Sequence, residues 1–263
     1  MKKDEINKIW KIEEKRVYSN NLKEFYHLLK KQSKLKYFRI KILGKIDAES
    51  IFLLYPKKII KNNKNILIAA GFHGDEPAGS WGILDFLEKS KRELFNEINI
   101  SILPVVNPTG FKLGNERDIF GREPNTVTKN NPSREGKILL KYSDLLRKLS
   151  KNGFLTLHED YQQEKFYIYS FENGKKPGKF SIQILNSTKG IYKKFDTGII
   201  DGYKVRNGII FNEYDDSFEN YLFSSGVPRC ICSETPRGDN INRRIKANGM
   251  IISKFIHLVL KEI

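Results

Sequence analysis

The chain has 263 residues, a net charge of +16, and 39% hydrophobic and 12% aromatic residues. That suits one large domain over residues 1–263 with a sizeable core. No segment approaches the roughly 20 apolar residues of a membrane span, and no apolar run of signal-peptide length follows the charged residues 1–8, so a soluble cytoplasmic protein is expected.

The positive charge is mostly lysine scattered along the whole chain, with no basic run interleaved with aromatics. This argues against nucleic-acid binding as the main role. In chain order, apolar spacing predicts helices over 5–17 and 21–31. Residues 37–43 and 51–55 read as a hairpin. The run 66–70 is a buried strand, and the turn 71–76 feeds a helix over 77–89, with Pro77 in its first turn where no backbone donor is needed. A core strand follows over 98–105. Residues 111–134 are polar and rich in Gly, Pro and Asn, and that length without structure points to function. A helix is expected over 135–149, strands over 153–158, 165–170 and 208–212, a short helix over 216–224, a strand over 228–233 and a long helix from 240 to the end. Cys230 and Cys232 lie two apart on that last strand, as small buried side chains placed too far apart for an easy disulfide. Strands alternating with helices predict an α/β fold: a three-layer α/β/α domain around a central mixed, mostly parallel sheet.

Ligands in such sheets bind beyond the carboxyl ends of the strands. His73, Glu76, Asn107, His158 and Glu234 all fall at predicted strand ends. Two histidines and a carboxylate suit Zn²⁺, and a further carboxylate suits a base acting on water. Gly71 and Gly74 let the backbone turn sharply around a bound ion. The remaining histidines, His27 and His257, lie on predicted helices and read as structural or surface residues.

The segment Gly71-Phe72-His73-Gly74-Asp75-Glu76-Pro77-Ala78-Gly79 resembles the zinc-binding segment of the zinc carboxypeptidase family. Within that family it is most similar to the small cytoplasmic murein-peptide amidase type. Asn107-Pro108-Thr109-Gly110-Phe111, Arg117, Gly121 with Asn125, Leu157-His158, Tyr214 to Phe218, and Glu234-Thr235-Pro236 follow in family order. The resemblance implies one Zn²⁺ per chain held by His73, Glu76 and His158, with a position left for water. It implies Glu234 as the base that takes the water's proton, Arg117 as a partner of the oxyanion, Asn125 as a holder of the substrate's terminal carboxylate, and Tyr214 as a residue that closes over substrate. The expected activity is hydrolysis of an amide or peptide bond near a carboxyl terminus, with a murein peptide as the finer expectation. An N-acyl amino acid deacylase acting on an acylated amino acid, and a zinc-bearing peptide-binding protein without activity, are the alternatives. The 29 residues after Glu234 read as one helix, which weighs against the deacylase alternative with its extra β-rich domain.

One departure stands out. The family pattern places Arg after the Asn, as a bidentate clamp on a carboxylate; here that position is Thr126. Either Arg122, Lys129 or Arg134 replaces it, or the substrate lacks a free carboxylate there, or activity is lost. Glu159 and Asp160 add negative charge next to His158, and one of them, Asp160 first, is a candidate partner for a substrate ammonium such as that of diaminopimelate.

Overall fold

A computed structural model describes residues 19–127 and 132–261. The helix expected over 5–17 and Lys129 lie outside the described residues. The chain runs through α1 (Leu22–Leu35), β1 (Phe38–Ile46), β2 (Glu49–Pro56), β3 (Lys64–Ala70), α2 (Pro77–Lys89), α3 (Leu94–Glu97), β4 (Ile98–Leu103), α4 (Pro108–Leu113), α5 (Arg134–Lys141) and α6 (Ser143–Leu149). It continues through β5 (Gly153–Asp160), β6 (Tyr167–Glu172), α7 (Lys179–Leu185), β7 (Gly198–Ile200), β8 (Tyr203–Val205), β9 (Ile209–Phe211), α8 (Phe218–Ser224), β10 (Arg229–Pro236) and α9 (Ile241–Lys261).

Eight strands form one mixed sheet in the order β1-β2-β4-β3-β5-β10-β6-β9. The central four, β4, β3, β5 and β10, are mutually parallel, and antiparallel pairings join β2 and β6 on either side. The parallel strands read as continuous apolar runs because both faces are covered. In β3, Ile66, Ile68 and Ala70 pack on one side with Trp81 of α2 and Ile245 and Phe255 of α9. Leu67 and Ala69 pack on the other with Leu139 and Leu146 of α5 and α6. That alternation is the period of two that a strand imposes. From β3 the chain turns one way to β4, then returns to lay β5 on the opposite flank. The sheet therefore has its switch point between β3 and β5.

The fold departs from the sequence expectation in four places. The helix over 135–149 is two helices that meet at Tyr142, whose N–H bonds back to Leu139 O at 3.1 Å in a tighter turn. The apolar side stays in phase across the break, so periodicity does not reveal it. The 111–134 segment starts inside a short helix, α4, whose N-cap Asn107 accepts a hydrogen bond from Gly110 N at 2.8 Å. The α7 helix and the β7–β8 hairpin are too short to carry a clear pattern. Finally, β5 and β10 run on to Asp160 and Pro236, because each pairs with the other over that stretch. His158 and Glu234 thus sit within strands, not past them.

Candidate metal and substrate site

His73 and Glu76 are placed by a turn that excludes side chains. Gly71 adopts φ +64°, in the left-handed region, and its carbonyl accepts from Asn107 N at 2.8 Å, tying the turn to the end of β4. Gly74 lies against α4 so closely that a Cβ there would fall 1.8 Å from the Gly110 carbonyl carbon. Asn20 Nδ2 donates to both Gly74 O and Phe111 O at 2.7 Å and clamps the two segments together. Glu76 then occupies the N-cap of α2, with Pro77 after it.

His158 comes from β5, where its backbone is in register with Glu234 of β10. The Phe72 ring stacks on it, 19° from parallel. The two imidazoles, their ring centres 4.9 Å apart, turn Nδ1 toward one carboxylate. Glu76 Oε1 is 2.6 Å from His73 Nδ1, Glu76 Oε2 is 3.1 Å from His158 Nδ1, and the two Nδ1 atoms are 3.4 Å apart. Glu159 N also donates to Glu76 Oε2 at 3.1 Å. Two imidazole nitrogens and a carboxylate within 4.8 Å of one another fit the N/O donor set of a divalent ion such as zinc.

The three side chains also meet one another's charge. Burial opposes a charged His73, but Glu76 and Glu123 outweigh it and hold the ring well above its ordinary value. Burial likewise opposes a charged His158, yet the Glu76 hydrogen bond raises it to about 8. Burial works against the Glu76 carboxylate as well, but the two histidines bring it down to about 2. The carboxylate thus favours a proton on each ring, and the two rings favour the ionised carboxylate. Behind His73, Nε2 meets Glu123 Oε1 at 2.9 Å, the kind of carboxylate partner that orients a metal-binding imidazole. Burial pushes Glu234 up to about 8, although His158 pulls it down.

The trio opens onto a cavity of about 460 Å³ lined by His73, His158 and Glu234 together with Asn125, Thr126 and Tyr214. A family model described as zinc carboxypeptidase matches residues 45–177. A proposed metallopeptidase from Shewanella amazonensis SB2B is 36% identical, with 91% of this chain and 94% of that one covered and a TM-score of 0.89. The chain belongs to the zinc carboxypeptidase family. A second proposed metallopeptidase, from Shewanella denitrificans OS217, is 38% identical over 91% of this chain and 90% of its own, with a TM-score of 0.88. A metallo-carboxypeptidase from Pseudomonas aeruginosa shares the fold, with a TM-score of 0.69 at 14% identity over 90% of this chain and 68% of that one. No curated protein shows significant sequence similarity to the chain. The zinc carboxypeptidases are metallopeptidases, and His73, Glu76 and His158 form a donor set able to hold a metal ion.

Of the residues singled out by sequence, His73, Glu76, His158 and Glu234 come together, and Asn125 and Tyr214 line the same cavity. Tyr214 is 65% exposed. Asn125 is engaged at both amide atoms: Oδ1 accepts from Phe218 N at 3.0 Å and Nδ2 donates to Glu219 Oε2 at 2.9 Å. Arg117 is not on the cavity wall. It is exposed, with Nη1 donating to Gly121 O at 3.4 Å and Nη2 3.9 Å from Glu116. Asp160 is also off the wall; its Oδ2 accepts from Tyr167 OH at 2.8 Å. Of the cations near Thr126, Arg122 lies over the Phe120 ring, and Arg134 pairs with Asp47 at 3.0 Å. Sequence reasoning passed over Glu123 and Glu219. Glu123, two residues before Asn125 in the Gly121 segment, was findable from the family-like spacing. Glu219 carried no signal, since an acid in a first helical turn is ordinary.

Proposed function

We propose that this protein is a zinc-dependent amide hydrolase with one zinc ion per chain, held by His73, Glu76 and His158, in which Glu234 moves the proton. Zinc, when bound, supplies a Lewis acid that polarises a carbonyl and acidifies water. Glu234 takes a proton from the attacking water on its carboxylate and passes it to the leaving nitrogen. The C–N bond breaks, the water oxygen stays on the acyl carbon, and the amine departs with the proton. Its raised pKa makes Glu234 a better proton acceptor than an ordinary carboxylate, as a group that first takes and then gives a proton should be. Glu123 fixes the His73 ring, and the buried wall around Glu234 keeps bulk water from competing for its proton. Tyr214, exposed beside the cavity, is placed to fold over a bound substrate.

The observation that carries this reading is the meeting of His73, Glu76 and His158 beside Glu234, from three separated stretches of chain. Elemental analysis tests it directly. We expect one zinc per wild-type chain, lost in His73→Ala. Glu234→Gln should keep the zinc and lose kcat by about 10²–10⁴-fold, the usual worth of a positioned proton-transfer group. Zinc retained in His73→Ala would overturn the ligand assignment.

Within this reading a murein peptide is the first natural substrate to assay. The ammonium of diaminopimelate suits a cavity rich in carboxylates, whereas its own carboxylates meet no cation among the described lining residues. The same wall disfavours acylated aspartate or glutamate, whose amine halves bring only negative charge. Hydrolysis of murein tripeptide by zinc-loaded protein checks the first point, and release of acetate or succinate from acylated aspartate or glutamate would reverse the second.

A further inference from the structure

Six carboxylate residues line the cavity: Glu123, Asp201, Asp215, Asp216, Glu219 and Glu234. No lysine or arginine does so among the described residues. A divalent ion at the histidines would bring two positive charges, and Glu76 already balances one of them. Asp201 and Asp215 are held by neutral donors, which position a charge without cancelling it. Tyr169 OH donates to Asp201 Oδ2 at 2.9 Å and Ser217 N to Asp215 Oδ1 at 2.9 Å, whereas Glu123 Oε1 meets both Asn125 N at 3.0 Å and the His73 imidazole at 2.9 Å. Glu219, buried beneath them, takes Asn125 Nδ2 and the Thr156 hydroxyl.

These acids share one field. Burial pushes the Asp215 carboxyl up, and Glu219 and Asp216 add to it. Burial also pushes the Tyr203 phenol up, with Asp215, Asp201 and Asp216 all contributing. Meanwhile, among the described residues, the groups expected to meet a substrate carboxylate are engaged elsewhere. Arg117 faces solvent, Arg122 and Arg134 lie by Phe120, and the Asn125 amide is spent on Phe218 and Glu219.

We infer that the cavity takes an amide whose amine half carries a cationic nitrogen and no carboxylate, the cation lying beside Asp201 and Asp215. This rests on the hydrolase reading above and departs from the murein peptide named there, whose diaminopimelate half carries carboxylates as well as an ammonium. An amine half of that kind is neutralised by the wall, whereas a C-terminal carboxylate would enter a field of its own sign with no donor cation among the described lining residues to receive it.

Four benzoylglycyl amides separate the two charges: those of lysine, norleucine, 1,5-diaminopentane and pentylamine. The diaminopentane compound is the lysine compound without its carboxylate, and the pentylamine compound stands in the same relation to norleucine. With zinc-loaded protein, kcat/KM for the diaminopentane amide should exceed that for the norleucine amide at least about tenfold, as expected when like charges are set against one partner. It should also exceed that for the lysine amide. Asp215→Asn should narrow the ratio between diaminopentane and pentylamine amides by about fivefold, acting on KM. Faster cleavage of either carboxylate-bearing amide than of its decarboxylated counterpart would overturn the inference. If none of the four is cleaved, the hydrolase reading fails, and calorimetry with the same compounds still decides the charge preference. Binding of the diaminopentane amide that weakens in Asp215→Asn upholds it; tighter binding of the norleucine amide, or no binding by any, removes it.

Discussion

Glu135 illustrates how one side chain can tax the fold without serving the site. It is fully buried at the start of α5, and neither carboxylate oxygen meets a hydrogen-bonding partner elsewhere among the described residues. Burial pushes its carboxyl up to about 7 from an ordinary 4.5, and Asp118 adds to the push. Below pH 4.5 the group is protonated in folded and unfolded chains alike and contributes nothing. Between 4.5 and about 7 the unfolded chain releases the proton while the folded chain keeps it, so stability falls as pH rises and levels off above. Glu135→Gln should therefore be more stable than wild type at pH 8 by about 1–3 kcal/mol, with the difference vanishing near pH 4. Denaturant unfolding at the two pH values measures this, and an equal gap at both would exclude the ionisation as its cause. At this scale the sequence was most legible where chemistry is rare. The chain has only four histidines, and the two at strand ends proved to be neighbours, while His27 and His257 are exposed on α1 and α9. It was least legible for Glu135 and Glu219, since acids are abundant and only tertiary burial distinguishes them.

The turn between β3 and α2 works because two elements approach to backbone contact. Gly74 and Gly110 meet without side chains between them, and Gly74 N donates to Asn115 O at 2.9 Å. A methyl group at position 74 cannot be absorbed by moving a flexible side chain, since what it strikes is the α4 backbone. We expect Gly74→Ala to displace α4 or the turn, to lower the melting temperature by several degrees, and to cut the zinc content below one per chain even with His73 and Glu76 intact; this scale of loss is typical of backbone strain at a special site. Zinc content unchanged in a folded Gly74→Ala protein would show that the turn tolerates the shift. Gly79 plays a similar part on the next face, where a Cβ would come 2.7 Å from Leu157 O, so α2 lies directly on β5 beside His158. Sequence pattern found these two long elements because each buries a full apolar run. It missed α4, α7 and the β7–β8 hairpin because elements of three to seven residues are set by caps and neighbours rather than by periodicity.

Across the whole molecule, the parallel strands deliver their carboxyl ends to one edge, and the change of direction between β3 and β5 opens the space where the histidines meet. That geometry needs the helices on the covered face to stay in register with the strands, and Glu159 is the tie. Its Oε1 accepts from Ala78 N of α2 at 2.6 Å, its Oε2 pairs with Arg244 of α9, and its own N–H holds Glu76. One buried carboxylate thus joins β5, α2 and α9 directly behind the proposed metal ligands. Burial pushes it up to about 7, although Arg244 pulls it down, so the ion pair offsets only part of the cost of burying the charge. Removing one partner should then be worse than removing both. Arg244→Met should cost about 3–5 kcal/mol, because Glu159 stays buried without its counter-charge, and it should weaken zinc binding as Glu76 loosens. Adding Glu159→Gln keeps an acceptor for Ala78 N and removes the stranded charge, so the double variant should recover at least about 1 kcal/mol in a double-mutant cycle. Strictly additive losses would mean that α2, β5 and α9 are held by apolar packing alone and that Glu159 and Arg244 are incidental neighbours.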